Sequence, residues 1–544
     1  FIVLFCWIAV IVLPFITVLC LQLLRQRDHA LGVKAEITPP EMPKIDGALS
    51  LRWSGVRCIR AGVPVFDGTS GQVSSTPGSG CLASIMGPSG SGKTTLLTTL
   101  AGRGLSSDQG VVSICGVDMD ARTRRAHIGY LNQAEVLGAC LTVREVLTFS
   151  AALRLPNLSR QQRAERVAWT LERLDLNALA DARIGDSRQR GISGGQRKRV
   201  EIGKELVYAP RIMVLDEPTT GLDAAAALAF VRLLRELADE GRLLLCCLHQ
   251  PRPEILKLFD VNIELNNHAE VSISLSTKLG GGDQKLSNDV EPVAKHGEAI
   301  LSRQKSTRAW PVQVSILWQR LWIECTKGST KAFPSLAVVL CMSLLSGWVF
   351  ADVENGFTGV LNRFGSIFFA HLFFAFCGLQ TCISWNEDRP RFMQEYMNNC
   401  YSGTAYFVAN ASAYIWWYCF ILPLIFTGSV YQMIGFSTAG FYKPMLYFSS
   451  ICGAAMSASG ISLFLVSVTN AVITGMVLSS GVLAVCLLFA GFLLPSRGLP
   501  AHTKWLLDLS PFKHSFSAMM INELSGLASI FDVEGYDSFD MQGE

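Results

Sequence analysis

Charge is what this chain has least of. Of 544 residues only 17% are Asp, Glu, Lys or Arg, while 50% are hydrophobic, an apolar balance for a soluble protein. The shortage is local. Charge is frequent from Arg25 to Glu324, yet no charged residue occurs between Glu395 and Lys443, or between Lys443 and Arg497. Runs of that length are membrane spans or the interior of something very large. A net charge of +3 is too small for an electrostatic nucleic-acid binder, so no nucleic acid is expected as a partner, and the cluster Arg197-Lys198-Arg199 reads as a local feature of one helix. Zinc spacing is also missing. The 16 cysteines are scattered, and several, such as Cys341, Cys419, Cys452 and Cys486, lie in apolar runs, as small buried hydrophobes of a reducing or lipid setting.

The apolar runs organise the chain. Residues 1–24 carry no charge and are followed by Arg25, Arg27 and Lys34. Without a basic start or a small-residue cleavage site they read as an N-terminal transmembrane anchor with a cytoplasmic basic flank, a removed signal peptide being the alternative. Residues 25–47, with Pro39-Pro40 and Pro43, form a linker, and 48–275 alternate strand and helix patterns as an α/β domain does. Gly280-Gly281-Gly282 marks a flexible linker over 276–304. Within 305–330 an amphipathic connecting helix from Trp310 to Lys327 carries Trp318, Leu321 and Trp322. Residues 331–544 form a transmembrane domain with five core spans: Phe333 to Ala351, Phe364 to Trp385, Thr404 to Gly435, Pro444 to Val468 and Ala471 to Leu494. His371, inside a span, either faces a cavity or hydrogen-bonds a neighbouring helix; Phe373 and Phe374 read as packing.

Phosphate chemistry is what the α/β region does contain. Gly87-Pro88-Ser89-Gly90-Ser91-Gly92-Lys93-Thr94 follows the apolar run Cys81 to Met86 and opens a helix at Thr95-Leu96-Leu97, the pattern of a Walker A loop. Backbone N–H groups there converge on phosphates at a positive helix end. Gly90 and Gly92 let the backbone come close, Lys93 supplies a mobile charge, and Thr94 a hydroxyl for magnesium. Alone, the loop says only that phosphate is bound. Ser193-Gly194-Gly195-Gln196 and the buried-strand run from Arg211 to Asp216-Glu217 sharpen it, because two acids ending a buried strand are costly unless a metal or a base function uses them.

These motifs, together with Ile128 to Gln133, Leu141 to Glu145, Asp216 to Asp223 and His249-Gln250-Pro251, resemble the ABC ATPases. With the ATPase first and the membrane domain second, the chain resembles the G subfamily of ABC transporters, the white-type half transporters. Asn362-Arg363-Phe364-Gly365, then Glu387, Arg389, Phe392 and Glu395, and Ser510-Pro511-Phe512 with Asn522-Glu523, extend the likeness through the membrane half. The resemblance implies an α/β P-loop ABC ATPase domain followed by an all-α transmembrane helical domain, with ATP and Mg2+ as cofactors. It implies that residues Gly87 to Thr95 bind nucleotide, and that Ser193, Gly194, Gly195, Gln196 and Asp223 complete the site of a second half transporter in a homodimer or heterodimer. Thr94, Gln133 and Asp216 would hold the metal. Glu217 would orient or deprotonate the attacking water, with His249 on the γ-phosphate and Gln133 touching metal and water.

The function so implied is ATP-driven export or lipid and sterol translocation of a hydrophobic or amphipathic substrate by a multi-pass protein in the lipid bilayer, its ATPase domain cytoplasmic. The alternative is a non-transporting membrane ATPase subunit that regulates or pairs with a partner. Three departures from the family stand out. The position of an adenine-stacking aromatic falls near Cys58, so stacking is lost or passes to Trp53. Ala224, Ala225 and Ala226 replace the usual serines after Asp223. The family's last span is not found, which leads to the expectation that a further apolar stretch of about 20 residues follows Glu544.

Overall fold

The computed structural model describes residues 48–60, 63–75, 79–104, 109–133, 136–185, 191–265, 271–275, 308–351, 357–436, 442–469, 471–494 and 500–524. The expected anchor (1–24), both expected linkers (25–47 and 276–304) and any continuation past Glu544 lie outside them. The described residues fall into two units: those up to Arg320 together with Arg391–Tyr406, and Leu321–Pro390 together with those from Phe407 on.

The first unit is built on two sheets. β1 (Ser50–Arg60), β2 (Val63–Ser74), β4 (Gln109–Ile114) and β5 (Val117–Asp118) form a four-stranded sheet in the order β2-β1-β4-β5, with each neighbouring pair antiparallel. The other sheet has the order β10-β9-β3-β8-β7-β6, from β3 (Cys81–Met86), β6 (Ile128–Leu131), β7 (Ile212–Leu215), β8 (Leu243–Cys247), β9 (Val261–Leu265) and β10 (Val271–Leu275). All its pairs are parallel except β9 with β10. Parallel strands covered on both faces must be apolar throughout rather than alternating. Ile-Met-Val-Leu of β7 and Leu-Leu-Leu-Cys-Cys of β8 are accordingly buried at every position. One core joins the sheets, running from Leu51, Trp53 and Val112 to Ile85, Leu96 and Val214.

Helices α1 (Lys93–Leu100), α2 (Ala121–His127), α3 (Val143–Arg154), α4 (Arg160–Arg173), α5 (Gly194–Leu206), α6 (Ala224–Asp239), α7 (Pro253–Leu256) and α8 (Trp310–Lys327) complete the order. Several start where the sequence offers a cap. Thr142/Glu145, Ser159/Gln162 and Ser193/Gln196 each close a capping box, in which the two side chains satisfy each other's backbone N–H groups. The basic cluster is local to α5, as its composition suggested: Lys198 is buried and donates to the Gln133 carbonyl at 3.3 Å, and Arg199 donates to the Leu174 carbonyl at 3.2 Å.

A buried polar network holds Arg391–Tyr406 within this unit. Arg154 pairs with Glu205 at 2.9 Å. Asn398 donates to the Glu205 carboxylate at 2.8 Å and accepts from Arg103 at 2.8 and 3.0 Å. Arg320 grips Glu395 through both carboxylate oxygens at 2.8 and 2.9 Å, and the Tyr401 hydroxyl donates to the same carboxylate at 2.7 Å.

The second unit is helical: α9 (Ser329–Val349), α10 (Phe357–Cys377), α11 (Gln380–Met397), α12 (Gly403–Trp416), α13 (Leu422–Met433), α14 (Tyr442–Val468), α15 (Val472–Leu488), α16 (Lys504–Leu509) and α17 (Pro511–Leu524), with the ends of α11 and α12 shared with the first unit. Among the described residues Gly359–Met397, Gly403–Met433 and Tyr442–Val468 are long and apolar enough to cross a bilayer, and Phe333–Val349 and Val472–Leu488 are shorter apolar helices.

Two spans differ from expectation. The one expected from Phe364 to Trp385 is divided at Gly378-Leu379, where Gly378 lies so close to α14 that a Cβ would come within 2.9 Å of the Ala458 Cβ. The one expected from Thr404 to Gly435 contains a π-helical turn, Trp417–Ile421, directly before Pro423, whose missing N–H removes a bond from the α-helical ladder. His371 takes the neighbouring-helix reading: its ring nitrogens meet the Ser515 hydroxyl on α17 at 2.8 Å and the Ile367 carbonyl at 2.9 Å. Phe373 and Phe374 pack on Phe426.

Glu205 makes this network testable. Burial by itself raises its carboxyl, but Arg154 and Arg103 outweigh burial and hold it below the usual carboxylate range. A carboxyl lowered on folding stabilises above its unfolded pKa of about 4.3, and that stability is lost as pH falls through the folded value. Stability measured by circular dichroism should therefore fall more steeply below about pH 4 in the wild type than in Glu205→Gln. At pH 7, Glu205→Ala should cost about 3–5 kcal/mol by leaving Arg154 buried without its counter-charge.

Candidate nucleotide site

Parallel pairing sends the loops after β3, β6, β7 and β8 to one edge of the sheet. Ile85 is level with Cys247, Leu215 with Cys246, and Leu131 with Leu215. Ligands of open parallel sheets bind beyond the carboxyl ends of the strands, and here those ends deliver the Walker A loop, Gln133, Asp216-Glu217 and His249.

The loop after β3 turns into α1 through Gly92, whose φ is +88°. A Cβ there would lie 2.9 Å from Val65 Cγ1, so both the conformation and the space require glycine. Helix α1 has no side-chain N-cap, leaving N–H groups at its positive end for an anion. Lys93 is buried and donates Nζ to the Gly87 and Pro88 carbonyls at 2.9 and 2.7 Å. The Ser91 hydroxyl is buried with no hydrogen-bond partner among the described residues.

Thr94 donates its hydroxyl to Asp216 Oδ1 at 3.1 Å. Asp216 is wholly buried, and its Oδ2 has no hydrogen-bond partner among the described residues. Burial pushes this carboxyl up; the Thr94 hydrogen bond opposes the rise and the neighbouring Glu217 charge adds to it. A hydroxyl and an incompletely satisfied carboxylate fit Mg2+, a hard ion that takes one or two protein oxygens and finds its other ligands in phosphates and water. No group of three or more His, Cys, Asp or Glu that could hold a metal alone occurs among the described residues.

Glu217 accepts from the Gln133 amide at 2.8 Å and from the Thr220 hydroxyl at 3.0 Å. Its own φ is +45°, and that of Gln250, next to the exposed His249, is +46°. Such backbone costs on the order of 1–3 kcal/mol and gathers at functional sites. Neither angle has a signature in the sequence.

The structure thus links Thr94 to Asp216 and Gln133 to Glu217. The signature residues and Asp223 stand on separate helix starts. Ser193 and Gln196 cap α5 and bond each other's backbone N–H, leaving Gly194 exposed. Asp223 caps α6, accepting from Ala226 N–H at 2.7 Å. Of the two alternatives for adenine stacking, passage to Trp53 is the one the packing opposes. Trp53 is 1% exposed and packs its ring against Gly71 in the core, so it is not open to a base; Cys58 is also buried. The side chains nearest a Cβ at Gly92 are those of Val65 and Phe66, which sequence patterning did not single out.

Residues 71–220 match the ABC transporter family and residues 312–524 the ABC-2 type transporter family. The chain is 29% identical over 521 residues to the broad substrate specificity ATP-binding cassette transporter ABCG2 of Rattus norvegicus, covering 82% of this chain and 78% of that protein. It is 28% identical to ABC transporter G family member 17 of Arabidopsis thaliana, covering 85% and 78%, and 29% identical to ABC transporter G family member 22 of Dictyostelium discoideum, covering 91% and 90%. Together these matches support a G-subfamily ABC half transporter. This G-type half transporter is a multi-pass membrane protein with a cytoplasmic ATPase domain, and it couples ATP hydrolysis to transmembrane transport.

For the G-type transporter, Trp53→Phe should lower thermal stability, as expected of a core substitution, yet leave the KM for ATP within about twofold. A tenfold rise in KM with the fold intact would return Trp53 to the base.

Proposed function

We propose that the chain acts as one half of a dimer that hydrolyses ATP at sites completed across the interface and moves a hydrophobic or amphipathic substrate, with sterols and other lipids in that class. The observation that carries the reading is the joining of Thr94 to Asp216 and Gln133 to Glu217 at the strand ends, beside an uncapped helix start. Residues Gly87 to Thr95 hold the phosphates. Thr94, Asp216 and Gln133 hold Mg2+, which when bound neutralises phosphate charge.

Glu217 is the base, and its hydrogen bonds from Gln133 and Thr220 aim the carboxylate. His249 reaches the γ-phosphate from the next strand end. Ser193, Gly194 and Gly195 offer N–H groups at the start of α5 to the partner's nucleotide, with Gln196 fixing that start, and Asp223 shapes the beginning of α6 beside them. Two bound nucleotides favour the closed dimer through their higher affinity for it, which is how binding does the mechanical work. A regulatory, non-transporting subunit would be favoured by a defective motif, and Lys93, Glu217 and His249 are all present.

Glu217→Gln should keep ATP binding and cut phosphate release by at least about 10²-fold, accumulating an ATP-loaded dimer; near-normal release would reassign the base. Site sharing is tested by placing Ser193→Arg and Lys93→Ala in co-expressed partners. On separate subunits both defects fall in one composite site and spare the other. On the same subunit they disable both. Independent monomers would show the reverse, with activity surviving only when one subunit carries both changes. Purified full-length protein in lipid, assayed for ATPase stimulation by sterols, phospholipids and amphipathic drugs, tests the substrate class.

A further inference from the structure

Three helices of the second unit lose regular geometry around one cavity of about 240 Å3. Helix α9 carries Pro334 in its interior, α10 and α11 part at Gly378-Leu379, and the π-helical turn Trp417–Ile421 precedes Pro423. Pro334, Gln380 and Tyr418, one from each irregularity, line the cavity. Within a bilayer, irregular backbone is tolerated where it is buried in protein or lines a cavity, and π-helical turns recur at functional sites.

The walls differ in chemistry. Gln380, Ser384 and Glu387 fall at i, i+4 and i+7 of α11, one face of a helix, and all three line the cavity. Val338, Val339 and Leu422 supply apolar wall. Glu387 is the one lining side chain with a formal charge. The frame is tied by hydrogen bonds: the Trp417 indole donates to the Ser335 hydroxyl on α9 at 3.2 Å, and the Tyr414 hydroxyl donates to Asp388 on α11 at 3.2 Å.

We propose that this cavity, lying within a single membrane half, binds the head of an amphipathic ammonium compound, with the cation at Glu387 and the adjoining apolar part against Val338, Val339 and Leu422. Glu387 is exposed, and a carboxylate beside apolar wall offers an amphipathic cation both a counter-charge and a surface for its adjoining apolar part. The volume falls below the roughly 300–1,000 Å3 of drug-sized sites, so it suits one ring or short chain with its ammonium. The proposal deepens the substrate reading above and rests on it. The same head chemistry could come from a free amine or from an ethanolamine phospholipid.

Binding of 4-phenylbutylammonium and of neutral 4-phenylbutanol is measured by calorimetry on the full chain in phosphatidylcholine nanodiscs without nucleotide. The expected result is one ammonium site per chain, weakened at least tenfold by Glu387→Gln with alcohol binding unchanged. Ser384→Trp, which fills the cavity, should remove both. Competition by added phosphatidylethanolamine would name the lipid as the source, and its absence the free amine. Equal ammonium affinity in wild type and Glu387→Gln, or one site per dimer, overturns the proposal. Retained alcohol binding by Glu387→Gln shows that the variant keeps its fold. Transport that proceeds without ammonium binding would defeat this site alone, whereas ATPase activity indifferent to every amphipath would defeat the substrate reading.

Discussion

The parallel register of β3, β6, β7 and β8 is the constraint on which the nucleotide site depends. Because these strands run the same way and end level, four loops distant in sequence leave the sheet together, and Thr94 comes within 3.1 Å of Asp216, 122 residues away. The same register imposes the composition of the strands. Buried on both faces, they carry no charged side chain until the strand ends, and the Ser84 hydroxyl inside β3 is satisfied by Asn262. Asp216 and Glu217 are therefore the first carboxylates the chain can place there, one buried in the sheet edge and the other turned toward Gln133. The different surroundings of the two acids follow from that one step out of the sheet.

Much of this was legible in the sequence because it depends on short-range patterns. A glycine-rich loop between an apolar run and a helix, an apolar strand ending in two acids, and a Ser-x-x-Gln helix start each carry their own local physics. Cys81–Met86 and Trp310–Lys327 have the bounds their patterns predict. What the sequence hid were consequences of packing between distant segments. Trp53 looks like a candidate for base stacking because tryptophan has a large π face, but its β-strand neighbours direct that face into the core joining the two sheets. Nothing local distinguishes a buried tryptophan from an exposed one.

The membrane helices show the same limit in another form. Hydropathy measures how long an apolar run is and not whether its backbone stays α-helical. The break at Gly378 depends on Ala458 and Ser459, about 80 residues later, packing against its Cα, and the π-helical turn at Trp417–Ile421 needs both Pro423 and a neighbour that accepts the wider turn. A charge-free run is enough to infer a span. It carries no information on where that span is interrupted.

Helix α5 connects the two kinds of information. Its first turn is the signature, a motif readable in one glance, and near its last turn stands Glu205, which no motif singles out. A helix of 13 residues is about 20 Å long, and α5 is held along that length: Lys198 bonds the Gln133 carbonyl, Glu201 accepts from the Val136 N–H at 3.0 Å, and Glu205 binds Arg154 and Asn398. Asn398 lies in the short segment Arg391–Tyr406, between two membrane helices in the chain yet packed with the ATPase domain. Sliding of the helix would cost hydrogen bonds at three successive turns, since a carbonyl, a backbone N–H and a buried Arg–carboxylate pair would each lose its partner on α5. One helix therefore carries the signature at its first turn and, near its last, the carboxylate that binds Asn398.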